Sequence, residues 1–320
     1  MLVSILINNF NYACFLRDAI DSALQQNYPS VEVIVVDDGS TDNSREIIAS
    51  YGTRIVALYK ENGGQGSTFN AGFDRSKGDL ICFLDADDVF LPTKVSSVVE
   101  AYKQNPHASL IYHQLQFVDA NKNKTGNPWP RSVLHSDIRL KVERTGTWWP
   151  HPTTTGLCAS RTFLSKVVPL PADLYRLCAD AFVAGLAPFF GPVIGLKQPL
   201  AMYRLHGANH FNFRGLTRQQ ESRRRLEQLE REFASIMSTL HNYLPSSTAI
   251  SLDDHFPYQF HLYAAGLSRS PSKLLMTMLR TRTLPFSMKW RESIRLSMLF
   301  ARSALQRGKG LEITNKEVLH

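Results

Sequence analysis

The chain has 320 residues, of which 43% are apolar and 20% are charged, so it can bury a full core and is not a disordered protein. Its four cysteines, Cys14, Cys82, Cys158 and Cys178, are widely spaced, which is the pattern of neither a disulfide scaffold nor a zinc cluster. The formal charge of +8 arises entirely after residue 210, because basic and acidic residues balance before it. A nucleic-acid-binding protein is not favoured, since no known binding motif accompanies this charge.

No segment predicts a membrane span or an export signal. The N-terminal stretch MLVSILINNF lacks a basic leader and becomes polar too soon for a signal peptide. The longest uncharged run, between Asp180 and Lys197, is short and is interrupted by Pro188 and Pro192, so it does not predict a spanning helix. The sequence therefore predicts a cytoplasmic protein.

The first part of the chain predicts an open α/β sheet with mostly parallel strands. Four short apolar runs that are rich in β-branched residues are typical of buried strands: LVSILI, VEVIVV, RIVALY and DLICFL. The first two lead into helical patterns, YACFLRDAIDSALQQ and STDNSREIIASY. In a sheet of this kind, ligands bind beyond the carboxyl ends of the strands.

Each predicted strand is followed by a polar or glycine-rich segment: NNFNY, DDGSTD, KENGGQGSTFNAG and DADD. Taken singly, each segment is equally typical of a turn or a helix cap. Together at one edge of a sheet, they predict one binding crevice. The last segment places Asp85, Asp87 and Asp88 directly after a buried strand. Carboxylates this close repel one another, so they are protonated, hydrogen-bonded or neutralised by a cation such as a divalent metal.

In this order the segments resemble the family 2 glycosyltransferases of GT-A fold. The resemblance rests on VSILINNFNYACFLRDAIDSALQQNYPSVEVIVVDDGSTDNS, NGGQGSTFNAGFDRSKGDLICFLDADD and PLAMYRLH. It implies a Rossmann-like GT-A catalytic domain at 1–212. The rest of the chain, 213–320, has no such match, and its own charge and helical spacing predict a basic, mainly helical region. The resemblance also implies inverting transfer of one sugar from a nucleotide-diphosphate sugar, with UDP favoured, to an acceptor hydroxyl. The acceptor that we expect is a glycan or a lipid-linked acceptor in cell-surface polysaccharide or glycolipid biosynthesis.

The resemblance assigns the donor side of the crevice to five residues. Asn8 and Phe10 match base-contacting positions, and an aromatic ring suits stacking on a base. The family usually has Pro-Thr-Tyr-Asn where this chain has Asn-Asn-Phe-Asn, so the ring is kept without its hydroxyl. Asp38 matches the acidic residue that accepts a hydrogen bond from the base edge. Asp85 matches the ribose-binding member of the DxD element, and Asn70 is expected to shape the donor side.

The resemblance also assigns a metal site and a catalytic base. Asp87 matches the direct ligand of Mn²⁺ or Mg²⁺, and His206 matches a histidine that completes this site in several members, although a lone histidine is more often only hydrogen-bonded. Asp180 matches the base that takes the proton from the attacking hydroxyl. Ala179 stands where the family usually has Glu, and a carboxylate near a helix N-terminus is the structural alternative. Asp88 is expected to cap the following helix.

Two other functions fit parts of the sequence. ICFLDADDV also matches the Asp-x-Asp-x-Val motif of a haloacid-dehalogenase-like phosphohydrolase, but that motif belongs on the first strand and here follows three others. A catalytically inactive sugar-nucleotide-binding scaffold is the second alternative, and the presence of both Asp87 and Asp180 argues against it. A processive synthase is not favoured, because the sequence lacks a Gln-x-x-Arg-Trp element.

The C-terminal region contains two stretches with helical spacing. TRQQESRRRLEQLEREFASIMSTLHNYL places Leu226, Leu229, Phe233, Ile236 and Leu240 on one face, which predicts a helix that packs on the catalytic domain or on a second subunit of a homo-oligomer. PFSMKWRESIRLSMLFARSALQR mixes apolar and basic residues. A core helix, an oligomer contact and a peripheral anchor at the inner membrane face are the alternatives for it.

Overall fold

The computed structural model describes residues 1–147, 149–206, 217–244 and 250–267, together with Leu274. The chain divides into two compact units, Met1–Ile138 with His151–Gly207 and Arg139–Pro150 with Ala208–His320. The segment Arg139–Pro150 thus groups with the C-terminal unit, although the sequence places it inside a domain at 1–212. The physical reason is a close backbone contact, because a Cβ added at Gly146 would lie 2.5 Å from the carbonyl oxygen of Ser251.

The secondary-structure elements follow one another in an α/β pattern. The strands are β1 (Val3–Asn9), β2 (Val31–Asp37), β3 (Val56–Tyr59), β4 (Leu80–Asp85), β5 (Val89–Phe90), β6 (Leu110–Val118), β7 (His135–Ser136), β8 (Leu157–Ser160) and β9 (Val193–Arg204). The helices are α1 (Ala13–Leu24), α2 (Ser44–Ala49), α3 (Gln65–Arg75), α4 (Lys94–Gln104), α5 (Arg139–Glu143), α6 (Arg161–Val167), α7 (Ala179–Leu186), α8 (Arg218–Leu240) and α9 (Phe256–Ala264). A 3-10 turn at Thr154–Gly156 precedes β8.

The strands of the first unit form one nine-stranded sheet in the order β3-β2-β1-β4-β8-β6-β9-β5, with β7 paired to β9. The four strands predicted from apolar runs are β1 to β4. Their pairs β1–β2, β1–β4 and β2–β3 are all parallel. Strand β8 runs antiparallel to both β4 and β6, whereas β9 runs parallel to β6. The α/β class predicted from the sequence is confirmed.

The centre of this sheet is buried on both faces. Ile5 and Ile7 of β1 and Ile81 and Leu84 of β4 have no exposed surface, as expected for parallel strands that helices cover on both sides. The two strands pair in register, and Asn8 lies opposite Asp85. Because both strands end at the same edge, the polar residues that follow them are brought together.

In the second unit, helix α8 has the apolar face predicted from the sequence. Leu226, Leu229, Ile236 and Leu240 are buried. The helix begins with a capping box, in which the side chain of the N-cap threonine and that of the glutamine three residues later each bond to the other's backbone, and this satisfies amide groups that have no partner inside the helix. The hydrogen bond from Tyr258 Oη to a carboxylate of α8, 2.8 Å long, joins α9 to α8.

The structure bears on the membrane question only for part of the chain. Within the described residues, no helix combines the length and the apolar character that crossing a bilayer requires. The helix expected around Trp290 lies outside the described residues. Contact between that segment and a membrane or a second subunit therefore stays a prediction.

Candidate active site

The carboxyl ends of β1 and β4 bring together the first residues expected on the donor side. Asn8 Nδ2 donates a hydrogen bond of 2.9 Å to Asp85 Oδ1. Phe10 follows β1 and is 39% exposed. An exposed ring beside a polar strand end has the geometry that stacking on a base requires.

Asp38 follows β2 and holds the glycine-rich loop that precedes α3. Its carboxylate is buried. Oδ1 accepts hydrogen bonds from Gly63 N at 2.9 Å and from Lys60 Nζ at 2.6 Å, and Oδ2 accepts one from Gly64 N at 2.7 Å. The loop is therefore fixed against the end of β2. A contact between Asp38 and a base edge, which the resemblance implies, stays a prediction.

Asn70 has a structural contact where the sequence predicts a donor contact. Its Nδ2 donates to the carbonyl oxygen of Leu170 at 2.9 Å, and its Oδ1 accepts from the backbone N–H of Leu170 at 2.7 Å. Both polar atoms of the amide thus bind the segment that follows α6. The amide is thus engaged by the protein's own backbone, and the expected role of Asn70 on the donor side stays a prediction.

The carboxylates after β4 perturb one another. Burial, followed by the charge of Asp87, raises the pKa of Asp85 to about 7. Burial and the charges of Asp87 and Asp85 raise the pKa of Asp88 well above its usual range. Burial and mutual repulsion thus disfavour the ionised form of this cluster, so a cation bound there would stabilise the ionised carboxylates electrostatically.

Asp88 does not cap a helix, so that expectation is wrong. Its Oδ2 accepts a hydrogen bond from Thr155 Oγ1, and its Oδ1 accepts one from the backbone N–H of Arg204 at 2.8 Å. Helix α4 begins after Thr93 instead. The carboxylate joins the end of β4 to the 3-10 turn and to β9, which are distant in sequence.

Asp87 and His206 lie together, as the resemblance to a metal site implies. His206 Nε2 is 2.9 Å from Asp87 Oδ2, and the two side chains are only 7% and 13% exposed, respectively. The imidazole packs against the ring of Phe15, with centroids 4.7 Å apart, and against the edge of Tyr12 at 5.7 Å. These rings fix the orientation of the imidazole toward the carboxylate.

Arg204 is a buried cation that sequence reasoning missed. Its Nε donates to the carbonyl oxygen of Asp87 at 2.8 Å, and its Nη2 donates to Asp18 Oδ2 at 2.8 Å. The guanidinium also lies 4.6 Å from the ring centroid of Phe15. Arg204 therefore holds the backbone of Asp87 and leaves its carboxylate to His206. The only sequence signal was its place in PLAMYRLH.

Asp180 is the second residue of α7 and is 9% exposed. Its Oδ2 accepts a hydrogen bond from Thr154 N at 3.1 Å. Burial raises the pKa of Asp180, and the charge of His151 and nearby backbone N–H groups oppose this effect. The charge of Asp180 contributes in turn to the raised pKa of Asp85.

Gln65, the first residue of α3, is a second residue that sequence reasoning missed. Its Nε2 lies 3.1 Å from Asp85 Oδ1, and its Oε1 accepts a hydrogen bond of 2.8 Å from Ala179 N. Ala179 directly precedes Asp180. The side chain of Gln65 therefore lies between the donor-side and the acceptor-side carboxylates.

Comparison with known proteins identifies the family. The family model for glycosyl transferase family 2 matches residues 4–165. The chain belongs to this family. An uncharacterized glycosyltransferase of Nostoc sp. is 36% identical over 231 residues, which cover 70% of this chain and 71% of that protein. Another from Rickettsia prowazekii is 44% identical over 112 residues, which cover 35% of each chain.

Solved structures agree with the GT-A fold. Residues 1–349 of S. aureus TarS, in complex with UDP-GlcNAc, superpose with a TM-score of 0.56 at 16% identity, covering 88% of this chain and 85% of that chain. The mannosyltransferase PcManGT from Pyrobaculum calidifontis, in complex with GDP-Man and Mn²⁺, gives 0.51 at 17% identity, covering 96% and 81%. The family 2 glycosyltransferase expected from the sequence is confirmed, and the phosphohydrolase alternative is not favoured.

The side chains of this glycosyltransferase suit a divalent cation shared with a diphosphate. Among the residues that the structure describes, no group of three or more His, Cys, Asp or Glu side chains is arranged to hold a metal ion. Mg²⁺ is typically bound by only one or two carboxylates, together with waters and substrate phosphates. Asp87 and His206 match that number of protein ligands. Asn8 Oδ1, beside Asp85, is a buried oxygen without a hydrogen-bonding partner, which adds an unused acceptor to the set.

Proposed function

We propose that this glycosyltransferase moves one sugar from a UDP-linked donor to an acceptor hydroxyl, with inversion and with Mn²⁺ or Mg²⁺ as cofactor. The observation that carries the proposal is the shared crevice, in which the side chain of Gln65 binds Asp85 at 3.1 Å and the backbone N–H of Ala179, next to Asp180, at 2.8 Å. Asp87 lies two residues from Asp85, on the donor side. The complexes of TarS with UDP-GlcNAc and of PcManGT with GDP-Man and Mn²⁺ support a nucleotide-sugar donor and a divalent cation.

The donor nucleotide is recognised at the ends of β1, β2 and β4. The exposed ring of Phe10 stacks on the uracil, and Asn8 lies beside it at the crevice. Asp38 Oδ2 accepts one hydrogen bond, from Gly64 N, so it has a further lone pair for the N–H of the base. Asp85 accepts hydrogen bonds from the ribose hydroxyls.

Asp87 and His206 would hold the divalent cation. When bound, such a cation neutralises the charge that develops on the diphosphate leaving group, which contributes several kcal/mol to catalysis. The bond from Arg204 to the carbonyl oxygen of Asp87 keeps the Asp87 carboxylate in place.

Asp180 acts as the general base. The acceptor oxygen attacks the anomeric carbon opposite the diphosphate, so the new glycosidic bond forms as the sugar–phosphate bond breaks and the configuration inverts. Asp180 accepts the proton of the attacking hydroxyl, a role worth about 10²–10⁴-fold in rate. Burial raises the pKa of Asp180, which makes it a stronger base than an exposed aspartate.

In our proposal, the catalytic domain lies within residues 1–212 and the basic region at 213–320 has a role on the acceptor side. A glycan or a lipid-linked glycan at the inner membrane face is the acceptor that we favour, in polysaccharide or glycolipid biosynthesis. The support is that all of the net positive charge lies after residue 210, and each basic residue near an anionic bilayer contributes about 1 kcal/mol. Sedimentation with anionic vesicles at low and at high salt tests this contact. A chain that ignores such vesicles at low salt is better explained by packing within the protein or in a homo-oligomer.

The proposed function is tested by binding and turnover together. UDP binding with and without Mn²⁺ is measured by calorimetry, and UDP release is measured from UDP-GlcNAc and other UDP-sugars, with water or glycans as acceptors. Asp87→Ala should lose the Mn²⁺-dependent part of UDP binding. Asp180→Asn should bind UDP with the affinity of the wild type. Its turnover, measured as UDP formed from the UDP-sugar, should be about 10²-fold slower.

Asp173→Asn is the matched control, because Asp173 is an exposed aspartate in the segment that precedes α7. It should behave as the wild type in both assays. A folded wild-type chain that neither binds UDP nor turns over any donor would refute the proposed function. Formation of UDP from the donor at the wild-type rate by Asp180→Asn would assign the base to another residue.

A further inference from the structure

The glycine-rich loop before α3 is joined to the segment before α7 through the backbone. Gln65 N donates to the carbonyl oxygen of Arg176 at 2.9 Å, and Gly66 N donates to that of Tyr175 at 2.8 Å. Gly64 has a φ of +82°, and a Cβ added there would lie 2.5 Å from Arg176 Cα. Because the two main chains are in direct contact, the side chain of Gln65 starts from a fixed position.

The orientation of the Gln65 amide is set by its partners. Oε1 accepts a hydrogen bond from Ala179 N at 2.8 Å. Since a backbone N–H can only donate, the opposite orientation of the amide is excluded. Nε2 therefore faces Asp85 Oδ1 at 3.1 Å and Thr154 Oγ1 at 3.0 Å. One side chain thus links the end of β4, the 3-10 turn and the start of α7.

Two of these three contacts lead to Asp180. Ala179 precedes Asp180 in α7, and Thr154 N donates to Asp180 Oδ2 at 3.1 Å. The third contact is with Asp85 itself. We propose that Gln65 is a positioning residue that fixes the donor-side carboxylate Asp85 relative to the acceptor-side carboxylate Asp180. This inference rests on the proposed function, which assigns the two carboxylates to the two substrates.

Relative position matters in this reaction because the attacking oxygen, the anomeric carbon and the leaving oxygen must lie in line. A misplacement of about 1 Å costs on the order of 10²-fold in rate. A glutamine suits the position, since it accepts from Ala179 N and donates to Asp85 without adding charge to an acidic crevice. A glutamate at position 65 would keep the first contact and place a carboxylate oxygen against Asp85.

Two variants and one control separate these contacts. Gln65→Leu removes all three hydrogen bonds at similar size, whereas Gln65→Glu keeps the acceptor for Ala179 N. Gln104→Leu is the control, because Gln104 is exposed and its amide binds Glu100 of the same helix. Hydrogen exchange of the Ala179 amide reports the network without any donor. It should be about 3- to 10-fold faster in Gln65→Leu, the effect of one net hydrogen bond, and unchanged in the other two.

Turnover then separates positioning from a merely structural role. UDP affinity with Mn²⁺ should fall by no more than about 3-fold in Gln65→Leu, because Asn8 still binds Asp85. The rate at which UDP is formed from the best donor should fall by about 10²-fold in Gln65→Leu and by a larger factor in Gln65→Glu. In the Asp180→Asn background, Gln65→Leu should have a smaller effect than in the wild type, because it acts through Asp180.

The outcomes distinguish this inference from the proposed function. Unchanged exchange of the Ala179 amide in Gln65→Leu refutes the network. Faster exchange of the Ala179 amide together with a wild-type rate of UDP formation shows that Gln65 is only structural. The same follows if Gln65→Leu slows UDP formation by an equal factor in the wild type and in the Asp180→Asn background. If the wild-type chain neither binds UDP nor forms it from a donor, the proposed function is refuted, and the assignment of Gln65 is refuted with it.

Discussion

The stability that the protein loses in mild acid should be smaller when His113 is replaced by asparagine than in the wild type. His113 lies in β6 without exposed surface. Its Nδ1 is 2.8 Å from the carbonyl oxygen of Gln114, and its Nε2 has no hydrogen-bonding partner. Burial, assisted by the charge of Lys94, lowers the pKa of His113 from 6.5 to about 3. The folded protein therefore keeps this histidine neutral at pH values where the unfolded chain protonates it.

The sign and the size of the effect follow from this difference. The contribution of His113 to stability is fully present above pH 6.5 and is lost as the pH falls toward 3. Over that range, the unfolded state binds one proton more than the folded state, which costs about 1.4 kcal/mol per pH unit. Between pH 7.5 and pH 5, the loss attributable to His113 is about 2 kcal/mol.

Urea unfolding at pH 7.5 and at pH 5 measures this loss. In His113→Asn, the amide Nδ2 can still donate to the carbonyl oxygen of Gln114, but the titrating group is gone. The variant should be less stable than the wild type at pH 7.5, because its smaller side chain leaves a cavity. The change in the free energy of unfolding between the two pH values should nevertheless be about 2 kcal/mol smaller than in the wild type. Equal changes in both proteins would refute a buried, neutral His113.

Two further substitutions test the core and the loop. Lys94→Met should raise the free energy of unfolding by about 1–3 kcal/mol in urea titrations, the cost of a buried donor without a partner, because Lys94 is fully buried and its Nζ has no hydrogen-bonding partner. A loss of stability would instead indicate a pair with Cys82, whose pKa is lowered to about 6 by Cys158 and Lys94 despite burial. Gly64→Ala should lower the melting temperature, with a loss of about 3 kcal/mol or more in the free energy of unfolding. Gly126→Ala is the control and should be neutral, because no atom lies within 4 Å of the added Cβ. Equal melting temperatures of the two variants would contradict this account of the loop.

The sequence by itself determined the parallel half of the sheet and the edge at which the crevice lies. The runs LVSILI and DLICFL are apolar at nearly every position, as is typical of parallel strands that helices cover on both faces. Once these runs are adjacent parallel strands, the residues that follow them must meet at one edge. The placement of Asn8, Phe10 and Asp85 there was therefore predictable from local pattern.

Only the tertiary structure decided which partners the polar residues have. Asp88 has the spacing of a helix cap, and Asn70 lies in a segment typical of donor binding, yet they bond to Thr155 and Leu170, far away in the chain. A local pattern reports which groups can form hydrogen bonds but not which distant group is presented to them.

The same limit applies to Gln65 and Arg204, which have no local signal of their own. Arg204 reaches the backbone of Asp87 because β5, which begins two residues after Asp87, pairs with β9 near the end of that strand. Gln65 reaches Ala179 because the backbone of α3 is bonded to the segment before α7. Both contacts depend on long-range pairing, in which many weak interactions across the whole sheet fix the position of each side chain.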